Sequence, residues 1–139
     1  MKVYDILTPD AEVIHPDACL CEAAQKMERR DIGMLPVCDG ERLIGALTDR
    51  DIVVRAVGKG YDPVHTHVKD VMTSRIRYCF ENDDVERAAQ IMEDHQIRRL
   101  PVINSAKRLV GMISLGDLAM RTHDEQLVEE VMEHICVPV

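Results

Sequence analysis

Tryptophan is absent from this chain of 139 residues, and phenylalanine occurs once. A core without large aromatic rings must be filled by Val, Ile, Leu, Met and Ala, and hydrophobic residues make up 46% of the total. Long apolar runs are missing too. None approaches the ~18–20 residues that cross a bilayer, and "MKVYDILTPD" lacks the apolar centre of a secretion signal. A cytoplasmic location and no membrane partner are therefore expected. A basic surplus is also lacking, since the formal net charge is −8. The stretch "HDEQLVEEVMEH" holds five acids, and no Lys or Arg follows Arg121. Nucleic-acid binding needs cations to neutralise phosphates, so that class of partner is excluded.

Cysteine is present but unpatterned. Five residues, an odd number without framework spacing, do not suggest a secreted disulfide scaffold. Cys19 and Cys21 are two apart, as are His65 and His67, and His134–Cys136 reads "HIC". There is no C-x-x-C and no H-E-x-x-H, so neither a metal centre nor a catalytic nucleophile is expected.

What the chain does have is a repeat. "DILT" at Asp5–Thr8 matches "DVMT" at Asp70–Thr73, "AAQKME" at Ala23–Glu28 matches "AAQIME" at Ala88–Glu93, and "LPV" at Leu35–Val37 recurs at Leu100–Val102. All three pairs lie 65 residues apart; after one inserted residue, "RLIG" at Arg42–Gly45 matches "RLVG" at Arg108–Gly111 at an offset of 66. Two similar halves follow, each too small to stand alone.

The halves share a pattern. An extended stretch, near Glu12–His15 or Arg77–Phe80, precedes a helix marked by Leu20, Ala23, Ala24 and Met27, or by Val85, Ala88, Ala89 and Met92. "DDVE" at Asp83–Glu86 suggests the second helix start. Two short apolar strands then form a hairpin, with Pro36 and Pro101 near the first strand's start. A closing helix begins at Asp49 or Leu115. "VGKGYDPVHTH" (Val57–His67) reads as a linker, and Glu125–His134 as a final amphipathic helix. The expected division is a first motif over 1–57, a linker over 58–67, a second motif over 68–122, and a C-terminal helix and tail over 123–139. The fold class is α+β, with two β-α-β-β-α halves related by pseudo-two-fold symmetry.

The most informative repeat is "TDRD" (Thr48–Asp51) against "SLGD" (Ser114–Asp117). A hydroxyl followed three residues later by an acid fits a capping box, which satisfies orphan N–H groups at a helix start. The same residues also suit a nucleotide. A capping hydroxyl can donate to a phosphate oxygen at the helix's positive end, and a first-turn carboxylate can accept from both hydroxyls of a ribose. Capping and binding do not exclude one another.

The ordered set "D-I/V-L/M-T", helix, "LPV", "R-L-I/V-G" and "T/S-x-x-D", present twice over Asp5–Thr122, resembles the CBS domain, named after cystathionine beta-synthase. The pair resembles a Bateman module, here as a short stand-alone protein. The resemblance implies two clefts between the motifs that take AMP, ADP, ATP, S-adenosylmethionine or NAD as regulatory ligands, with no cofactor required. It implies a non-enzymatic sensor, a homodimer, and a regulated partner protein. Transferred position by position, one cleft would use Ser114 and Asp117 with Arg99 and its neighbour Arg98, plus Thr8 and Val13. The other would use Thr48 and Asp51 with Thr73 and Tyr78. Met34 and Gly33 stand where Arg99 and Arg98 stand, and Arg50 is the nearest substitute cation. The Arg99 cleft is therefore expected to prefer phosphorylated ligands. Ligand-free interaction or dimerisation, and a thiol- or metal-dependent stress role, are the competing readings.

Overall fold

The computed structural model describes residues Met1–Cys136. The tail beyond Cys136 lies outside them. The chain divides into two compact units that do not coincide with the sequence repeats: Glu12–Ile76 forms one, and Met1–Ala11 joins the residues from Arg77 onward in the other. The chain's first eleven residues thus pack with the second repeat, while Val57–Ile76 packs with the first.

In the Glu12–Ile76 unit, helix α1 (Leu20–Arg30) leads into strands β1 (Met34–Asp39) and β2 (Arg42–Thr48), followed by helix α2 (Asp49–Arg55). Strands β1 and β2 pair antiparallel from Met34↔Thr48 to Asp39↔Arg42, with a register shift between Val37 and Cys38. The extended stretch before α1 is reduced to one parallel bridge, Ile14↔Val37. Leu20, Ala23 and Met27 face a core with Ile14, Leu35, Val37 and Leu47. Val68 and Val71 close that core, delivered by a 3-10 turn at Val68–Asp70. The Val57–His67 stretch is tied down by backbone bonds: Leu20 N–H donates to the Thr66 carbonyl and Cys21 N–H to the Pro63 carbonyl, both at 3.0 Å.

The other unit repeats the plan with additions. Strand β3 (Cys79–Phe80) runs parallel to β4 (Arg99–Ile103), which pairs antiparallel with β5 (Leu109–Ser114). Helix α3 (Val85–His95) precedes β4, and α4 (Leu115–Arg121) and α5 (Glu125–Ile135) follow β5. The expected start signal before α3 acts differently from a cap: Asp84 occupies the N-cap, but its side chain makes no capping bond and instead accepts from Lys2 Nζ at 2.9 Å. Val85, Ala88, Ala89 and Met92 meet Leu100, Val102, Ile113 and Leu118, with Val131 and Ile135 from α5. Val3 and Ile6 complete this core. They are the counterparts of Val68 and Val71 at the 65-residue offset. Burying such a side chain contributes about 1.5–3 kcal/mol, enough to hold a short segment with little secondary structure of its own.

Helices α1 and α3 end alike. Asp31 and Gln96 adopt left-handed backbone conformations and donate their N–H groups back to the last turn.

Candidate functional site

Both closing helices start as a capping box. In α2, Thr48 Oγ1 accepts from Asp51 N–H at 3.0 Å, and Asp51 Oδ2 accepts from Thr48 N–H at 3.0 Å. In α4, Ser114 Oγ accepts from Asp117 N–H at 3.0 Å, and Asp117 Oδ2 accepts from Ser114 N–H at 2.9 Å. Each helix has seven residues, about two turns, so its dipole is short and charged side chains must supply most of any attraction for an anion.

The segment carrying Thr8 or Thr73 crosses the strand just before each box. Thr8 and Met112 exchange both backbone bonds, at 2.8 and 2.9 Å; Thr73 and Ala46 do the same at 2.9 and 2.9 Å. Glycine permits the approach. A Cβ on Gly111 would lie 2.5 Å from the Thr8 carbonyl oxygen, and one on Gly45 would lie 2.7 Å from that of Thr73. The structure thereby brings Thr8 to Asp117: its hydroxyl donates to Asp117 Oδ1 at 3.2 Å. Among the described residues, Thr73 makes no matching side-chain bond to Asp51. The two carboxylates are mostly shielded, with side chains 12% exposed at Asp117 and 14% at Asp51.

Strand pairing sets Arg99 directly across from Ser114, at the mouth of α4. Arg98 is adjacent; its carbonyl accepts from Leu115 N–H at 2.9 Å and its guanidinium lies 3.8 Å from Cys136 Sγ. In the other unit Met34 faces Thr48, and the Gly33 carbonyl accepts from Asp49 N–H at 2.9 Å. The Asp49 carboxylate fills the space beside Gly33, where a Cβ would lie 2.9 Å from Oδ2. Arg50 is exposed, and its N–H donates to Asp49 Oδ1 at 2.8 Å. The strand residue across from Ser114 is therefore an arginine with a second arginine next to it in sequence, whereas Thr48 has Met34 across from it and a second carboxylate, Asp49, in the first turn of its helix.

Two assigned residues fall in the unit opposite to the helix start each was matched with. Val13 belongs to the Glu12–Ile76 unit, where its carbonyl accepts from Lys26 Nζ at 2.8 Å. Tyr78 belongs with Ser114 and Asp117, and its ring meets Phe80 edge-on at 5.9 Å. The sequence reading overlooked Arg55 and Arg121, each four residues past the boxed aspartate. Their guanidinium Nε atoms lie 3.8 Å from Asp51 and 3.7 Å from Asp117. The 66-residue offset that relates Gly45 to Gly111 also relates these two, and was the signal available.

The cysteines divide by burial. Burial pushes the Cys38 thiol up to about 11 and, with Asp83 nearby, the Cys79 thiol up to about 12. Both behave as small apolar residues at neutral pH. Among the described residues, no three His, Cys, Asp or Glu side chains are arranged to hold a metal ion.

Two α+β units, each with a closing helix that starts in a hydroxyl–carboxylate box, define a tandem-repeat α+β protein. The chain belongs to the CBS-domain family, whose model matches residues 3–58 and 68–124. Hypoxic response protein 1 of Mycobacterium tuberculosis is 38% identical over 136 residues, covering 97% of this chain and 94% of that one. The CBS domain-containing protein YhcV of Bacillus subtilis is 35% identical over 134 residues, covering 96% and 94%. The crystal structure of Hypoxic Response Protein I with two coordinated zinc ions aligns with a TM-score of 0.80 at 37% identity, covering 87% of this chain and 98% of that one. CBSX2 in complex with AMP aligns at 0.73 and 26% identity, covering 85% and 93%. The CBS pair of MJ0100, with 5-methylthioadenosine and S-adenosylmethionine, also aligns at 0.73 and 26%, covering 86% and 93%.

Proposed function

We propose that this chain is a non-enzymatic regulatory module that binds an adenosine-containing nucleotide at its two hydroxyl–carboxylate helix starts. One observation carries the reading. Thr8, Ser114 and Asp117 converge on the strand position across from Arg99: the Ser114 hydroxyl proton and the cation serve phosphate, and the Asp117 carboxylate, to which Thr8 donates, serves ribose. A carboxylate has about four acceptor positions, so the bonds from Ser114 and Thr8 leave capacity for a sugar diol. The AMP and S-adenosylmethionine bound by solved relatives support this ligand class. The Arg99 site favours phosphorylated ligands, and the Thr48–Asp51 site binds them more weakly because Asp49 opposes a second negative charge. A homodimer, as the family resemblance implies, belongs to this reading, with the exposed Val53, Val54 and Val57 as candidates for its apolar contacts. Occupancy is read by a partner protein through a shift between arrangements that the ligand binds unequally.

Thermal unfolding against AMP, ADP, ATP, S-adenosylmethionine, NAD and adenosine tests the proposal. A ligand at 100 times its dissociation constant adds about 2.7 kcal/mol, a rise of several degrees for a chain this size. Asp117→Ala is expected to remove most of that rise while the chain stays folded. No rise with any of these compounds at millimolar concentration rejects the nucleotide reading in favour of a ligand-free interaction module.

A further inference from the structure

An arginine in the last turn of a helix can serve that helix's own terminal carbonyls. Arg121 turns elsewhere. Its Nη1 donates to the carbonyls of Ile6 and Leu7 at 3.2 and 3.1 Å, while Nε lies 3.7 Å from Asp117 Oδ1. Arg55 repeats the arrangement: Nη1 reaches the carbonyls of Val71 and Met72, both at 3.3 Å, and Nε lies 3.8 Å from Asp51 Oδ1. Val71 and Met72 are the repeat counterparts of Ile6 and Leu7. The same three-way junction of helix carboxylate, guanidinium and crossing-segment carbonyls is thus built in both units.

Capping does not require it, because each box is complete without the arginine. The chemistry does select arginine. A planar guanidinium presents five N–H donors in a fixed fork, so it can face a carboxylate and two carbonyls at once. A lysine ammonium is a point charge on a flexible stem and fixes no such angle.

We propose that Arg121 and Arg55 are positioning residues of the two nucleotide sites. Each holds the segment carrying Thr8 or Thr73 against the carboxylate that takes the ribose. The assignment rests on the nucleotide reading above and adds its regulation. A ligand that draws on Asp117 pulls on the junction that also seats Ile6, a core residue two positions before Thr8.

The test uses the full chain, AMP as the probe, and Arg121→Lys. Calorimetric titration measures affinity, and hydrogen exchange follows the amides of Ile6, Leu7 and Thr8. These amides donate to the Val3 carbonyl (Ile6 and Leu7) and to the Met112 carbonyl (Thr8). The expected result is faster exchange at those three amides and roughly tenfold weaker AMP binding at one site, with the global melting temperature nearly unchanged. Combining Arg121→Gln with Thr8→Val should weaken binding by less than the sum of the single effects, because both act on one contact. Additive losses, or faster exchange with unchanged affinity, mark a merely structural clamp and overturn the assignment. Should Arg121→Lys fail to fold, Arg55→Lys with exchange at Val71, Met72 and Thr73 poses the same question in the other unit. Wild-type chain that binds neither AMP nor any of the other compounds screened above brings down the nucleotide reading and this proposal together; where another of them binds and AMP does not, that compound replaces AMP as the probe. Wild-type binding that Arg121→Lys leaves intact brings down the proposal alone.

Discussion

The two closing helices begin with the same capping geometry and different charges around it. At Ser114–Asp117 the neighbours are Arg98 and Arg99, and Thr8 donates to the aspartate. At Thr48–Asp51 the corresponding residues are Gly33 and Met34, and Asp49 adds a carboxylate to the first turn. Duplication preserved what each helix needs in order to start. It did not preserve the charge that a phosphate would meet. A capping box is a local requirement, satisfied wherever a strand feeds a short helix, whereas the surrounding charge is free to diverge.

The comparison breaks most visibly at the glycines. Gly111→Ala places a Cβ against the Thr8 carbonyl and the Leu7 side chain, whose Cδ1 would lie at 2.8 Å. Overpacking of this kind costs about 1–3 kcal/mol. Gly45→Ala meets the Thr73 carbonyl and a Met72 sulfur at 3.2 Å, and a methionine yields more readily than a backbone. Denaturant unfolding should show both variants destabilised, with Gly111→Ala the worse. Equal losses would mean that the two crossings are equally tight.

Next in size is the charge difference. Arg99→Met should lower the preference for AMP over adenosine roughly fivefold to tenfold, the scale of one charge-assisted bond at an exposed site. Met34→Arg should raise that preference at the other helix start, by less, since Asp49 remains. Titrations with AMP and adenosine measure both. An unchanged ratio in Arg99→Met would remove the arginine from phosphate recognition.

The smallest effect concerns pH. Among the described residues, only the Thr8–Asp117 unit carries a histidine and a glutamate both shifted upward. His134 is raised first by its bond to the Glu130 carbonyl and then by Glu93, with Glu130 and Glu133 adding to it. Glu93, whose side chain is 8% exposed, is raised by burial first and then by Glu130 and Asp94, against the pull of His134. A folded-state pKa above the unfolded value stabilises the fold fully below the unfolded pKa, near 6.5 for histidine, and that contribution is lost as pH rises through the folded value. His134→Gln should therefore lower the melting temperature slightly near pH 6 and hardly at all near pH 8. In the other unit, Asp17 and Asp62 are lowered by Lys69 and His65, so their contribution holds above about 3.8 and fades as pH falls. A His134→Gln effect that grew toward pH 8 would contradict the assigned sign.

Much of the local structure was legible in the residues. The 3.6-residue spacing of Leu20, Ala23 and Met27 gave α1 its buried face, and the box motifs placed the starts of α2 and α4 at Asp49 and Leu115. The extended stretches were legible only in outline. Arg77–Phe80 supplies a two-residue strand, and Glu12–His15 a single bridge, because a segment with few partners forms little ladder. The paired helix starts were legible through Thr48, Asp51, Ser114 and Asp117, which form the two capping boxes. The roles of Arg55 and Arg121 were not, since an arginine one turn past an aspartate reads as an ordinary surface ion pair.

The sequence by itself determined that the chain is a duplication, that its core is aliphatic, and that two hydroxyl–acid helix starts recur in equivalent places. Periodicity and capping act within a few residues, so they are written directly in the order of side chains. Only the tertiary structure decided which segments share a core. Val3 and Ile6 are buried with the second repeat, and Val68 and Val71 with the first. That choice depends on which apolar surface is left open once each hairpin and helix has formed. It is also what brings Thr8 to Asp117 and puts four backbone carbonyls within reach of Arg55 and Arg121.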